Sequence, residues 1–312
     1  MIFDPQNPHP GIYEDFPINF YHGPEMAHIV SHSYLSRLAD CPAKGKVATV
    51  VTPPMIFGRA LHVYSLEGQD AFHKSCAVMP EFPDPRPKKT KGWHNTDEYR
   101  GLKAQYQADN IGREITTTED FNTIVEMKQA MQQNPVVASL LSDGYKEVSI
   151  IWRDDETGIW CKTRPDGICL MTASIIDLKK VSEGGAKMHA FQSIINKRTY
   201  QVQMAMALAG LKEMRKLGII KEEYDIATLI AVEDVPPYKT MDWTLEQDFL
   251  TQGYGEFKRL LRIERACREQ NFWPNYEPSN LENLRYKAPG SMPLPGYLTE
   301  AGKHWEAQPS EE

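Results

Sequence analysis

Cysteine is scarce and scattered in this chain of 312 residues: Cys41, Cys76, Cys161, Cys169 and Cys267, an odd number with no C-x-x-C anywhere. That spacing argues against a disulfide framework and against a four-cysteine zinc or iron–sulfur centre. It suits a reducing, cytoplasmic setting. No run reaches the roughly 18 consecutive apolar residues that a membrane span requires, so no membrane partner is expected. The opening stretch, MIFDPQNPHPGIYEDF, is acidic and Pro-containing and lacks the basic start and apolar stretch of a signal peptide. An excess of positive charge is also missing. With 35 Lys+Arg against 42 Asp+Glu the net charge is −7, which argues against a generally basic coat for nucleic acid but leaves room for local basic stretches.

What is present is ordinary for a globular protein: 41% hydrophobic and 25% charged residues. The length fits two domains or one elaborated α/β domain. Helices are predicted over 33–41, 55–67, 96–109, 118–133, 135–141, 186–197, 200–217 and 245–271, from apolar spacings of three and four and from Gly and Pro stops. Strands are predicted over 147–153, 159–164, 174–179 and 224–232, with Asp154–Gly158 (DDETG) as the turn of a hairpin. Residues 1–24 read as irregular, 25–280 as one domain and 281–312 as a Pro-rich tail. The order fits an α/β or α+β core with a helical N-terminal elaboration, and the expected architecture is α/β, a central mixed sheet flanked by helices.

The chemistry concentrates in RPDGICLMTASIIDLKK, residues 164–180. Period-two alternation puts Asp177 and Lys179 on one face of a strand and Ile176 and Leu178 on the other. If the strand ending near Asp166 is its neighbour, two carboxylates and an ammonium converge. Such a set suits a hard cation such as Mg²⁺ and an attacking water or phosphate beside it. A lone D-x-K is more commonly an edge-strand ion pair. Three further features bear on the choice. Gly58 and His62 lie one turn apart on the helix over 55–67, where the bland alternative is a hydrogen-bonded core histidine. Glu147 opens the strand before the hairpin, or is simply a solvated strand end. Tyr200 and Gln203 share a helix face at i, i+3, as in any amphipathic helix start.

In this order the segments YHGPEMAHIVSHSYLSRLADCPAK, FGRALHVYSLEG, EVSIIWRDDETGIWCKTRPDG, IIDLKK and YQVQMAMAL resemble the PD-(D/E)XK nuclease superfamily. They are most similar to its RecB-type subgroup, which includes the exonuclease VIII (RecE) nuclease domain and related phage proteins. The resemblance implies that Asp166 and Asp177 bind metal, that His62 joins them, and that Lys179 positions the nucleophilic water. It places Gln203 and Tyr200 near the site and the substrate strand, and Glu147 at an acidic position before the hairpin. It implies Mg²⁺ with Mn²⁺ as substitute, and no iron–sulfur cluster, since only Cys267 lies beyond Cys169. It further implies an exodeoxyribonuclease acting on double-stranded DNA ends, degrading one strand 5′ to 3′. The 3′ overhang would pass to a RecT-like single-strand annealing protein. A phage- or prophage-encoded homo-oligomeric ring is implied, a tetramer or else a trimer. Other nucleases of the superfamily, or a non-catalytic DNA-end-binding assembly protein, are the alternatives. Lys88, Lys89 and Lys91 with Trp93 form a basic, aromatic stretch suited to single-strand contact, or a solvated loop.

Overall fold

The computed structural model describes residues 3–14, 16–86 and 92–275. In chain order its first half comprises strand β1 (Gly11–Tyr13), helices α1 (Ile18–Tyr21), α2 (His32–Asp40), α3 (Pro42–Gly45), α4 (Pro53–His62) and α5 (Gln69–Ser75), strand β2 (Cys76–Met79), helix α6 (Asp97–Asp109), strand β3 (Glu114–Thr117) and helices α7 (Thr118–Gln133) and α8 (Pro135–Ser142). Strands β4 (Tyr145–Lys146), β5 (Ser149–Arg153), β6 (Trp160–Thr163), β7 (Gly167–Cys169) and β8 (Ser174–Val181) follow. The chain then runs through α9 (Met188–Arg198), α10 (Tyr200–Lys216), β9 (Ile226–Glu233), β10 (Thr240–Thr244) and α11 (Gln247–Gln270).

A mixed five-stranded sheet, ordered β10-β9-β8-β7-β4, is the centre of the fold; a three-stranded sheet, β1-β5-β6, adjoins it. The parallel pair β8–β9, in register from Ser174↔Ile226 to Val181↔Glu233, is covered by helices on both faces. On one face Ile175, Leu229 and Ala231 pack with Met204 and Leu211 of α10 and Phe257 and Leu261 of α11. On the other, Ile176, Leu178, Ile230 and Val232 meet Ala60 and Leu61 of α4 and Ile124, Met127 and Met131 of α7. Burying each large aliphatic side chain contributes about 1.5–3 kcal/mol, and this explains why these strands read as apolar runs rather than strict alternation. Gly253 brings α11 against the start of α10: a Cβ there would lie 2.3 Å from the Gln201 carbonyl oxygen.

Strands β4–β5 and β6–β7 form one long hairpin in a single register, Tyr145↔Ile168 at its base and Arg153↔Trp160 near its tip. It is interrupted where Glu147 and Val148 face Arg164–Asp166. At the interruption Glu147 takes a left-handed backbone, φ 52°, a conformation uncommon for any residue but glycine. The hairpin bends there, and its outer half enters the second sheet. Glu147 therefore does not open a strand, as the sequence suggests, but forms the bend. Nor do the second and third predicted strands pair with each other: β6 pairs with β5 in the smaller sheet, and the partner of β8 on that side is the short β7, which stands between β4 and β8.

The segment expected to be irregular, 1–24, supplies β1, which extends the sheet beside β5, and the turn α1. Buried Lys162 ties it down by donating to the carbonyls of Tyr21 (2.7 Å) and Met26 (3.0 Å). The helix expected over 55–67 starts at Pro53 and widens at Val63–Glu67 into a π-helical turn, closed by Gly68 N–H donating to Val63 O. The segment 281–312 lies outside the described residues. Among the described residues no helix is long and apolar enough to cross a membrane.

Candidate metal and active site

The β7–β8 ladder ends at the pair Gly167↔Ile176. Two residues further along β8, the backbone of Leu178 has no strand partner on that side, and side chains take its place. Asp166 Oδ2 accepts the Leu178 amide. His62, the last residue of α4, lies 3.0 Å through Nε2 from the Leu178 carbonyl oxygen. A carbonyl only accepts, so Nε2 carries a proton, and Nδ1 is the ring atom left for another partner. Nδ1 faces Asp166 Oδ1 at 3.2 Å and Glu147 Oε1 at 3.9 Å. Ligating atoms of His62, Glu147 and Asp166 all lie within 4.8 Å of one another.

On the same strand, Asp177 and Lys179 point toward the opposite layer and meet α10. Gln203 Nε2 donates to Asp177 Oδ1 at 2.6 Å, and Lys179 Nζ donates to Gln203 Oε1 at 3.1 Å. The Lys179 ammonium pairs with Asp177 Oδ2 and sits 4.4 Å over the Tyr200 ring. That ion pair is close but not aligned as a hydrogen bond: Oδ2 is a buried oxygen that accepts none. Arg164 Nε donates to Glu147 Oε2 at 3.0 Å and its Nη1 to the Phe16 carbonyl at 2.8 Å, fixing the carboxylate at the bend.

The charges in this site are interdependent. Burial alone would lower the His62 pKa, but the Asp166 carboxylate, with Glu147 and Asp177 beyond it, overrides burial and raises it to about 9. Burial and the Asp166 charge push Glu147 up to about 7 and Asp177 up to about 6, against the pull of neighbouring cations. For Asp166 burial acts upward, yet the His62 imidazolium and then Lys179 hold it below the usual carboxylate range. Lys179 is raised despite its burial, because Asp177 stabilises the ammonium. These are the shifts expected when several carboxylates and cations share a confined space.

The structure thus brings together His62, Glu147, Asp166, Asp177, Lys179, Tyr200 and Gln203. Asp177 faces Lys179 and Gln203 rather than joining the His62–Glu147–Asp166 set. Trp93 does not present a stacking face: its side chain is buried and its indole N–H donates to the Phe82 carbonyl at 2.7 Å. An apolar ring with a satisfied donor is worth more inside than exposed. Lys88, Lys89 and Lys91 lie outside the described residues. The basic side chains of α11 are engaged in ion pairs, Lys258 with Asp154, Arg262 with Glu156 and Arg268 with Glu264. Sequence reasoning overlooked Arg164, whose place two residues before Asp166 was the available signal. It also overlooked Glu67 on the π-helical turn, whose charge adds to the upward pressure on Glu147.

A PDDEXK-like domain of unknown function (DUF3799) matches residues 31–285. The chain belongs to this family. The matched range contains every residue of the family member's site described above, from His62 to Gln203. No curated protein matches the chain. Among solved structures, it is similar to a protein of Eubacterium rectale described as a "putative exonuclease", at 12% identity and a TM-score of 0.52, covering 88% of this chain and 100% of the other. At that identity the likeness concerns the fold, and the fold agrees with a PD-(D/E)XK core: a mixed sheet between helices, with acidic residues and a lysine gathered on and beside one central strand.

Proposed function

We propose that the protein is a metal-dependent deoxyribonuclease acting on the ends of double-stranded DNA. The observation that carries this reading is the convergence of the His62–Glu147–Asp166 donors beside the buried Asp177–Lys179–Gln203 set. The residues fit a divalent cation: carboxylate oxygens dominate, and one imidazole nitrogen is oriented by a backbone carbonyl that holds the other. His62, Glu147 and Asp166 would hold the cation, with Asp177 and Lys179 beside them. When bound, it supplies a Lewis acid that acidifies water and offsets carboxylate charge that would otherwise repel a phosphodiester. Mg²⁺ suits this donor set, and Mn²⁺ tolerates the imidazole.

Lys179 stays protonated near neutrality because Asp177 raises its pKa. It therefore acts as a cation and donor, orienting a water and countering charge on phosphate oxygens, rather than as a base. Gln203 holds both Asp177 and Lys179, and the Tyr200 ring beneath the ammonium fixes its position. The finer reading rests on the resemblance to exonuclease VIII: degradation of one strand 5′ to 3′, 3′ overhangs passed to an annealing protein, and a homo-oligomeric ring that retains DNA. An acidic chain binds duplex weakly and salt-sensitively, and a closed ring of several copies would multiply those contacts.

Digestion of 5′- and 3′-labelled linear and circular duplexes with Mg²⁺, Mn²⁺ or Ca²⁺ tests the activity and its polarity. Mononucleotide release from linear DNA with Mg²⁺ supports the proposal. Equal cleavage of circles makes the protein an endonuclease, and no metal-dependent hydrolysis overturns the reading. Sedimentation of the full chain tests the ring; a 35.6 kDa monomer with and without DNA refutes it.

A further inference from the structure

Thr199 ends α9 and begins α10, the helix that delivers Tyr200 and Gln203 to Lys179 and Asp177. Its backbone is left-handed, φ 55° and ψ 37°, and among the described residues it is the one β-branched side chain at positive φ. Such a conformation persists where surrounding contacts impose it. Its carbonyl accepts the amides of Val202 (3.0 Å) and Gln203 (3.2 Å), so the backbone of Gln203 hangs directly on this residue. The hydroxyl of Thr199 donates its single proton to the Arg198 carbonyl at 2.7 Å. The same oxygen lies 3.3 Å from His32 Nε2. With its proton committed, the hydroxyl accepts and His32 Nε2 donates.

His32 is itself anchored. It begins α2 after the cap Ser31, whose hydroxyl accepts the Tyr34 amide. Two residues earlier Val30 is stitched to β6, its amide donating to Trp160 O and its carbonyl accepting the Lys162 amide, each at 2.8 Å. A fixed frame thus reaches from β6 through His32 to the first turn of α10. The ring is neutral, because burial and then the Lys179 charge push its pKa down to about 4, so it places no competing charge beside the ammonium.

We propose that His32 is a positioning residue for the nuclease site: by holding the Thr199 hydroxyl it fixes the first turn of α10, and so the Gln203 amide that orients Asp177 and Lys179. The proposal rests on the nuclease reading above and adds a residue that touches neither metal donors nor Lys179.

The test uses the full chain as wild type, His32→Ala, His32→Gln, Gln203→Ala and the His32→Ala/Gln203→Ala double variant. Steady-state cleavage of linear duplex with Mg²⁺, Mn²⁺ affinity, and hydrogen exchange of the peptide spanning 199–206 are measured on each. His32→Ala is expected to lower kcat about tenfold with KM and Mn²⁺ affinity unchanged, and to speed exchange of the first α10 turn. His32→Gln, whose amide can still donate to Thr199, restores most of both. In the Gln203→Ala background the His32→Ala loss shrinks below about twofold. Unchanged kcat in His32→Ala, an equal loss in the Gln203→Ala background, or unchanged exchange overturns the positioning role. Absence of hydrolysis by the wild type overturns instead the nuclease reading, and the exchange arm still decides whether His32 pins the turn.

Discussion

Metal binding should release protons in a pattern set by two residues. The His62 imidazolium titrates near pH 9 and the Glu147 carboxyl near pH 7. Each must lose its proton before it can ligate, so apparent affinity rises with pH. Between about pH 6 and about pH 8, His62 contributes about a hundredfold, since that whole window lies below its pKa; Glu147 contributes about tenfold, since the window straddles its own. Together they give about a thousandfold gain in affinity, on the order of 4 kcal/mol. His62→Gln removes the larger part. The remaining gain should be about tenfold to fiftyfold, the upper figure arising because loss of the neighbouring cation lets Glu147 titrate higher.

Calorimetric titration with Mn²⁺ in buffers of different ionisation enthalpy counts the protons directly. Near pH 7.5 the wild type should release about one proton from His62 and about a quarter from Glu147, and His62→Gln should release only the Glu147 share, between about a quarter and about three quarters of a proton. Release near zero in the wild type, or a thousandfold pH dependence surviving in His62→Gln, would refute the assignment. The imidazole would then remain paired with Asp166 whether or not metal is present.

Three further outcomes follow from the same geometry. Asp166→Ala should abolish cleavage and also cost about 1–3 kcal/mol of stability, because the Leu178 amide loses its acceptor; thermal melting beside the digestion assay checks both, and an undisturbed melting temperature contradicts the role given to Oδ2. Lys179→Ala should lower kcat strongly with Mn²⁺ affinity kept, and Lys179→Arg should not rescue it, since a planar guanidinium cannot replace a compact ammonium held by Asp177, Gln203 and the Tyr200 ring; recovery by arginine would show that charge alone matters. Gly253→Ala should destabilise by at least about 2 kcal/mol, because its Cβ would overlap the Gln201 carbonyl and drive α11 from α10; wild-type denaturant stability would mean that the two helices separate freely.

How much of this was legible depended on whether local signals and tertiary needs agreed. Helices α6 and α7 were placed nearly to the residue, and the structure adds their caps, Thr96 and Thr117, which accept the amides of Tyr99 and Asp120. Strand β8 was legible from its aliphatic run, and its alternation correctly put Asp177 and Lys179 on one face. The three-residue β7 was not, since GIC carries no periodicity and exists as a strand only through its neighbours. The left-handed Glu147 was invisible for a related reason: a glutamate takes that backbone only where a bent hairpin and Arg164 hold it. Trp93 misled because a tryptophan among lysines has the same composition whether it faces DNA or the interior. Nothing in the sequence marked Thr199, a threonine being a poor candidate for positive φ.

The grouping of the metal donors follows from an unfinished ladder. Had β7 continued beside β8, backbone carbonyl and amide groups would have satisfied Leu178, and each would have been consumed in doing so. In their place stand a carboxylate and an imidazole, each of which has a second polar atom. Asp166 satisfies the Leu178 amide with Oδ2 and keeps Oδ1; His62 satisfies the Leu178 carbonyl with Nε2 and keeps Nδ1. The two bonded atoms face one residue of one strand, so the two remaining atoms are brought to 3.2 Å of each other. The bend at Glu147 adds a third donor from the same interruption. The requirement that buried backbone groups be paired thus builds the donor set, and His62 reaches the strand edge from the point where α4 widens into the π-helical turn. The same requirement separates the two halves of the site. Donors that replace the missing strand lie along the edge of the sheet, whereas Asp177 and Lys179 rise from its face into the layer of α10, and Gln203 belongs to the second half alone.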